Sequence, residues 1–105
     1  MEERIRRIYV PMTETAFYIL LCLQTEHHGY GIGQQIQKLT DGTINVGPGT
    51  MYGTLSKMEK DGLIRFTRME QKRKLYVITD LGQQILQLEK DRIRHLYHII
   101  EEDEL

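Results

Sequence analysis

The sequence has no tryptophan, a single cysteine, two prolines and no apolar run longer than the eight residues 16–23. Each shortage excludes something. With Cys22 alone, no intramolecular disulfide can form, and a reducing cytoplasm is the expected setting. An eight-residue run falls far short of the roughly 20 apolar residues a bilayer span needs, so no membrane association is expected. Residues 1–7 are charged and no long apolar region follows directly, which is not the shape of a signal peptide. Without tryptophan, no indole is available to stack on an aromatic ligand. Charge of one sign is also lacking: the net charge is −1, so the overall balance says nothing about nucleic acid.

The distribution of charge says more. Residues 1–78 carry eleven Lys/Arg against eight Asp/Glu, whereas residues 79–105 carry three against seven. Positive charge gathers toward the front. The acidic end, Glu101, Glu102, Asp103 and Glu104, reads as a solubilising helix terminus. At 105 residues the chain is expected to form one compact domain, since smaller pieces could not hold a core.

Residues 1–10, with Arg4, Arg6 and Arg7, form a short basic lead whose structure the pattern leaves open. Thr13 is a plausible N-cap for a helix running to about Gln24, with Phe17, Leu20, Leu21 and Leu23 on its buried face. His27-His28-Gly29 breaks it. A second helix is expected from about Gly31, with Ile32, Ile36 and Leu39 at i, i+4 and i+7 and Asp41-Gly42 as its stop. Residues 43–46 alternate apolar and polar side chains, enough for a short strand.

Residues 47–64 read GPGTMYGTLSKMEKDGLI. Pro48 suits a first helical turn, where its missing N–H has no partner in any case. Met51, Leu55 and Met58 make an inward stripe, and Gly62 ends the helix with Leu63 tucked behind it. Residues 64–78 read as a β-hairpin, with Ile64 and Phe66 alternating with Arg65 and Thr67, a polar turn near Glu70–Arg73, and a return through Leu75-Tyr76-Val77-Ile78. Thr79 then caps a last helix of roughly 23 residues, Asp80 standing well for the helix dipole. Helices followed by a hairpin make a winged helix-turn-helix: mainly α with a β-hairpin wing, plus a long C-terminal helix. That last helix is expected to find no core of its own. The expected organisation is a DNA-binding region over 1–78 and a dimerisation helix over 79–105.

In the third helix, the inward stripe leaves Thr50, Gly53, Thr54 and Lys57 outward, with Tyr52 beside them. Small, polar or basic residues near the N-terminus of the second helix of a helix-turn-helix let its backbone approach base edges, and exposed N–H groups there favour phosphate. From this helix alone, a solvated and well-capped face reads equally well. The hairpin shifts the balance: Arg65, Arg68, Lys72, Arg73 and Lys74 face the lone Glu70, a charge suited to a minor groove or its phosphates. Leu81, Ile85, Leu88, Leu96 and Ile99 form one apolar row on the last helix, and Leu86, Ile93, Tyr97 and Ile100 a second. Pairing with another copy is the simplest use for both, with Phe17 and Leu21 joining the contact.

Other chemistry finds little support. His95 and His98 stand at i, i+3, but no Cys, Asp or Glu obviously completes a metal site. GPGT lacks the Gly-Lys-Ser/Thr ending of a phosphate loop, and no Gly-x-Ser-x-Gly elbow occurs. Neither enzyme activity nor a cofactor is expected, and Cys22 reads as a small core residue.

Four runs in order and spacing carry a family likeness: His28-Gly29-Tyr30-Gly31-Ile32, Gly47-Pro48-Gly49-Thr50-Met51-Tyr52-Gly53-Thr54-Leu55, Lys60-Asp61-Gly62-Leu63-Ile64, and Tyr76-Val77-Ile78-Thr79-Asp80-Leu81-Gly82. Together, over roughly residues 12–82, the chain resembles the PadR family of transcriptional regulators, in its compact branch with a single C-terminal helix. The resemblance implies a winged-helix repressor, dimeric through that helix, on an inverted-repeat operator of double-stranded DNA. It also implies a DNA-contacting surface of Tyr30, Thr50, Tyr52, Gly53 and Lys57 with wing cations such as Lys72 and Arg73. Members are often released by a small aromatic or drug-like ligand, which here would sit near Phe17, Leu21, Leu96 or Tyr97. Two alternatives stay open at this point: a winged helix that binds a protein and leaves DNA alone, and a small-molecule carrier built on a dimer cavity.

Overall fold

A computed structural model of the chain describes residues 2–103. Glu104, the last residue of the acidic end, lies outside the described residues. The elements run α1 (Glu3–Tyr9), α2 (Glu14–Cys22), β1 (His27–His28), α3 (Gly29–Leu39), α4 (Pro48–Lys60), β2 (Ile64–Glu70), β3 (Arg73–Ile78) and α5 (Asp80–Glu101). The winged helix-turn-helix with a long last helix is therefore the fold.

The termini of these helices follow from local chemistry. Thr13 accepts the Ala16 N–H at 3.1 Å, and Thr79 accepts the Gly82 N–H at 3.1 Å, each satisfying a donor that the first turn leaves orphaned. The histidine that ends the α2 connection also starts α3, since His28 Nδ1 accepts the Gly31 N–H at 3.0 Å. At the end of α4, Gly62 adopts φ +82°, which brings the Leu63 N–H to the Met58 carbonyl (2.9 Å) and the Gly62 N–H to the Glu59 carbonyl (3.1 Å). That paired closure needs a left-handed residue, hence glycine. Gly82 is demanded for another reason: a Cβ there would collide with the Leu63 carbonyl oxygen, where α5 begins against the end of α4.

One question left open by the sequence is answered and two expectations are corrected. Within the lead, Glu3–Tyr9 form helix α1, anchored by Ile5 and Tyr9, which are both buried. Residues 43–46 form no strand. Their backbone is held by Thr40, whose hydroxyl accepts the Ile44 N–H at 3.1 Å, while the free edge of the sheet is taken by His27–His28. The sheet is antiparallel with order β1-β3-β2. Finally, α5 does join the core. Ile85 and Leu86 are 0 % and 1 % exposed, and Glu89 is fully buried, accepting the Met12 N–H at 3.0 Å and a bidentate pairing from Arg92 at 2.8 and 3.1 Å. A buried carboxylate without such partners would be costly.

The core itself joins Ile19, Leu20 and Leu23 of the α2 segment, Ile32 and Ile36 of α3, Met51, Leu55 and Met58 of α4, and Leu63, Ile64 and Ile78 around the sheet. Phe17 and Leu21, expected to be buried, are only half-buried, Phe17 bordering a cleft shared with α5. Burial holds the Cys22 thiol up at about 11, as expected for an inert core cysteine.

Candidate nucleic-acid interface

Helix α4 turns its apolar stripe into the core, and at about 100° per residue the opposite side is fixed. Gly49, Gly53, Ser56 and Lys60 stand opposite Met51, Leu55 and Met58, with Tyr52 and Lys57 at the margins, and all six are exposed. Thr50 and Thr54 lie toward one margin, and Thr54 is half-buried. They border a cleft of about 460 Å³ whose other wall is Tyr9, Thr13 and Ala16. Sequence reasoning missed Gly49, Ser56 and Lys60. Completing the helical wheel from the buried stripe would have found them.

The two glycines stand out on energetic grounds. Glycine inside a helix costs up to about 1 kcal/mol relative to alanine. A Cβ at Gly49 or Gly53 would meet nothing within 4 Å, so no internal close approach explains either one. Nothing within the described chain calls for a small residue at either position.

On the other margin, Tyr52 and Tyr30 flank a cleft of about 330 Å³ between α3 and α4, lined also by Gln34, Gln37 and Asn45. Tyr30 is 55 % exposed, and the Arg73 guanidinium lies 4.7 Å above its ring, a cation–π contact. The tip of the wing, α3 and α4 thus form one strip through Arg73, Tyr30 and Tyr52.

The wing cations are not equivalent. Arg68 is bound to Glu26 at 3.1 Å and to Glu70 at 2.8 Å, so its charge is already answered. Lys72 and Lys74 form no ion pair among the described residues. Gln71 and Lys72 make the two-residue turn, both with positive φ (49° and 64°). Such a turn favours Asn-Gly, and a lysine kept at its tip in a left-handed conformation keeps its charge there at a steric cost. Lys57 resembles Arg68: its Nζ is 3.0 Å from Asp61 Oδ2.

The residues expected at a dimer contact divide into three sets. Ile85 belongs wholly to the chain's own core, which removes it from any exposed stripe, and Leu86 of the second row goes with it. Leu81, Leu88, Phe17 and Leu21 are half-buried. Ile93, Leu96, Tyr97, Ile99 and Ile100 are exposed, Leu96 at 47 % and Ile100 at 68 %. Of the expected ligand residues, Phe17 lines a cleft of about 440 Å³ with Met12, Tyr18, Glu89, Arg92 and Ile93, while Leu21, Leu96 and Tyr97 are not on its walls. His98 pairs with Glu102 at 3.0 Å, and no cluster of three metal-ligating side chains exists among the described residues. No helix of the described residues is long and apolar enough to cross a membrane.

The profile of the Transcriptional regulator PadR-like family matches residues 19–88. Among curated proteins, the transcriptional regulator YqjI of Escherichia coli (strain K12) is 29 % identical over 68 residues, which is 65 % of this chain and 33 % of that protein. The chain therefore spans about one third of the length of the curated relative it matches. Among solved structures, a transcriptional regulator from Clostridium thermocellum superposes with a TM-score of 0.73 at 23 % identity, covering 100 % of this chain and 99 % of the other. Bacillus subtilis PadR, solved in complex with operator DNA, gives 0.64 at 26 % identity over 71 % of this chain and 45 % of its own. The family and these solved relatives are transcription regulators and not enzymes.

Proposed function

The chain belongs to the PadR-like family of transcriptional regulators, and from that premise we propose that it is a repressor that binds an inverted-repeat operator as a homodimer. In this reading α4 enters a major groove. Gly49 and Gly53 admit the backbone to the base edges, and Thr50, Tyr52, Thr54 and Ser56 supply hydroxyls. Tyr30 donates to a phosphate, and Lys72, Arg73 and Lys74 bring the wing to the neighbouring phosphates or minor groove. Lys57 and Arg68 differ from the rest, since a phosphate would have to displace a carboxylate from each.

Residues 1–78 then serve DNA and residues 79–105 serve pairing, the first turns of α5 doing double duty in the core. The contact between copies falls on the outer part of α5, through Leu96, Ile99 and Ile100, with Leu81, Leu88, Phe17 and Leu21 at its edge. An operator held by both protomers blocks access to the DNA beneath it, which is repression by occlusion.

The observation that carries this reading is the continuous strip from the unpaired wing cations through Tyr30 to the glycine-bearing face of α4. Binding of a mixed-sequence duplex measured across a salt series tests it. Each phosphate contact contributes about 0.9 to the slope of log K against log salt. Replacing Lys72, Arg73 and Lys74 together by alanine is expected to lower that slope by about 2 to 3. An unchanged slope would remove the wing from the interface.

A ligand reading has one observation in its favour, the cleft beside Phe17, Tyr18 and Ile93. A small aromatic compound seated there, with Leu21, Leu96 and Tyr97 of the paired helices closing over it, would alter the spacing of the two α4 helices and release DNA. Titrating planar aromatic compounds against the protein–duplex complex tests this; Phe17→Ala is expected to abolish any release, and release that survives the substitution would exclude the cleft.

A further inference from the structure

Asp61 occupies a position that helix electrostatics disfavours. It caps the C-terminal end of α4, where the helix dipole presents partial negative charge, and its side chain is only 6 % exposed. Three groups answer that charge. The Tyr9 hydroxyl donates to Oδ2 at 2.7 Å, Lys57 Nζ approaches the same oxygen at 3.0 Å, and Arg4 Nη1 stands 4.0 Å from Oδ1. Burial opposes ionisation of Asp61, but the Tyr9 hydroxyl, Lys57 and Arg4 together outweigh it and hold the carboxyl below its ordinary range. Two of the three partners come from α1, 52 residues away in sequence for Tyr9. Lys57 is held twice, since its Nζ also stands 5.9 Å above the Tyr9 ring.

Ile5 and Tyr9 tie α1 to the core, and its polar attachment to α4 is local. Tyr9 meets α4 near its last turn, while the N-terminal part of α4 is separated from Tyr9, Thr13 and Ala16 by the open cleft of about 460 Å³. Helix α1 also lies outside residues 19–88, the stretch that matches the family. We propose that α1 is a latch on the C-terminal end of the recognition helix, and that Tyr9 and Asp61 are positioning residues for sequence recognition. Lys57 belongs to the latch and is not a phosphate contact. The inference rests on the DNA-binding reading given above.

Two kinds of contact respond differently to a loosened latch. Base-edge hydrogen bonds demand close geometry and carry sequence discrimination, whereas phosphate contacts set the salt slope and tolerate small shifts. Releasing the latch should therefore reduce discrimination and leave the slope alone.

Tyr9→Phe removes one hydroxyl, and Asp61→Asn removes the charge while keeping an acceptor, so both variants should fold. Two measurements are made on the full chain: amide hydrogen exchange of α1, and affinity for a duplex selected from a randomised library by the wild type against a mixed-sequence duplex. Exchange at residues 5–9 is expected to quicken by about tenfold or more, as a local opening. Affinity for the selected duplex is expected to fall by about three- to tenfold, the scale of one ordinary intramolecular hydrogen bond, with mixed-sequence affinity and salt slope unchanged. Unchanged exchange would overturn the latch. Faster exchange with intact discrimination would overturn the positioning role, and a slope lowered by about 0.9 in Lys57→Ala would make Lys57 a phosphate contact after all. If the wild type selects no sequence, the DNA-binding reading fails, and the exchange measurement alone decides whether the latch exists.

Discussion

Up to Glu89, α5 buries Ile85, Leu86 and Glu89 against α2 and β3; from Ile93 to Ile100 the same helix leaves Ile93, Leu96, Tyr97, Ile99 and Ile100 exposed. Both halves carry the same apolar spacing, and the sequence alone would give them one role. The difference comes from where the domain ends. The small core reaches as far as Glu89, whose carboxylate holds the Met12 N–H and Arg92, and past Ile93, which borders the cleft beside Phe17, the apolar side chains of the helix stay exposed among the described residues. Periodicity reports that a face is apolar; it does not report which surface will meet it.

Breaking the inner half should give the largest effect. Ile85→Ala leaves a cavity in a fully packed site and is expected to cost about 3 kcal/mol of folding stability by denaturant titration; a loss below about 1 kcal/mol would mean that α5 is loosely docked. The outer half should respond in assembly and hardly at all in folding. Leu96→Glu with Ile100→Glu is expected to yield a monomer by sedimentation with a melting temperature near that of the isolated wild-type protomer. A dimer that survives both charges would move the contact off this face.

A similar contrast divides the two faces of α4 and predicts opposite signs in two assays. Gly53→Ala is expected to raise stability by about 0.5 to 1 kcal/mol, since the new methyl meets nothing and helix propensity improves. The same methyl is expected to weaken binding to a selected duplex, because it stands where the backbone must approach the bases. Stability gained with binding untouched would place the DNA elsewhere. The smallest effect concerns pH. Asp61's folded pKa is depressed, so its contribution to stability is full above the ordinary carboxylate range and is lost as pH falls through the depressed value. Asp61→Asn should flatten that part of the acid limb, and an unaltered acid limb would show that its charge is not coupled to folding.

What the sequence made legible was what its local chemistry controls. The Pro48 start, the Gly62 stop, the Thr13 and Thr79 caps, the hairpin and the length of α5 all follow from residues a few positions apart. Helix α1 was hidden because its seven residues offer only Ile5 and Tyr9 as a buried pair. Strand β1 was hidden because two histidines carry no strand signal, and their partners Leu75 and Tyr76 lie far along the chain. The same limit applies to the interface. Cations could be counted on the wing, but Arg68's commitment to Glu26, 42 residues earlier, and Asp61's to Tyr9 are visible only once the chain is folded.

The central question is whether two α4 helices read one DNA duplex together. Selection of duplexes from a randomised library, followed by footprinting of the enriched sequence, tests this most directly. The expected result is a protected inverted repeat, bound by two protomers, with half-site centres about one helical turn (roughly 10 base pairs) or a multiple of it apart. Failure to enrich any sequence, or a single asymmetric site bound by one protomer, would contradict it.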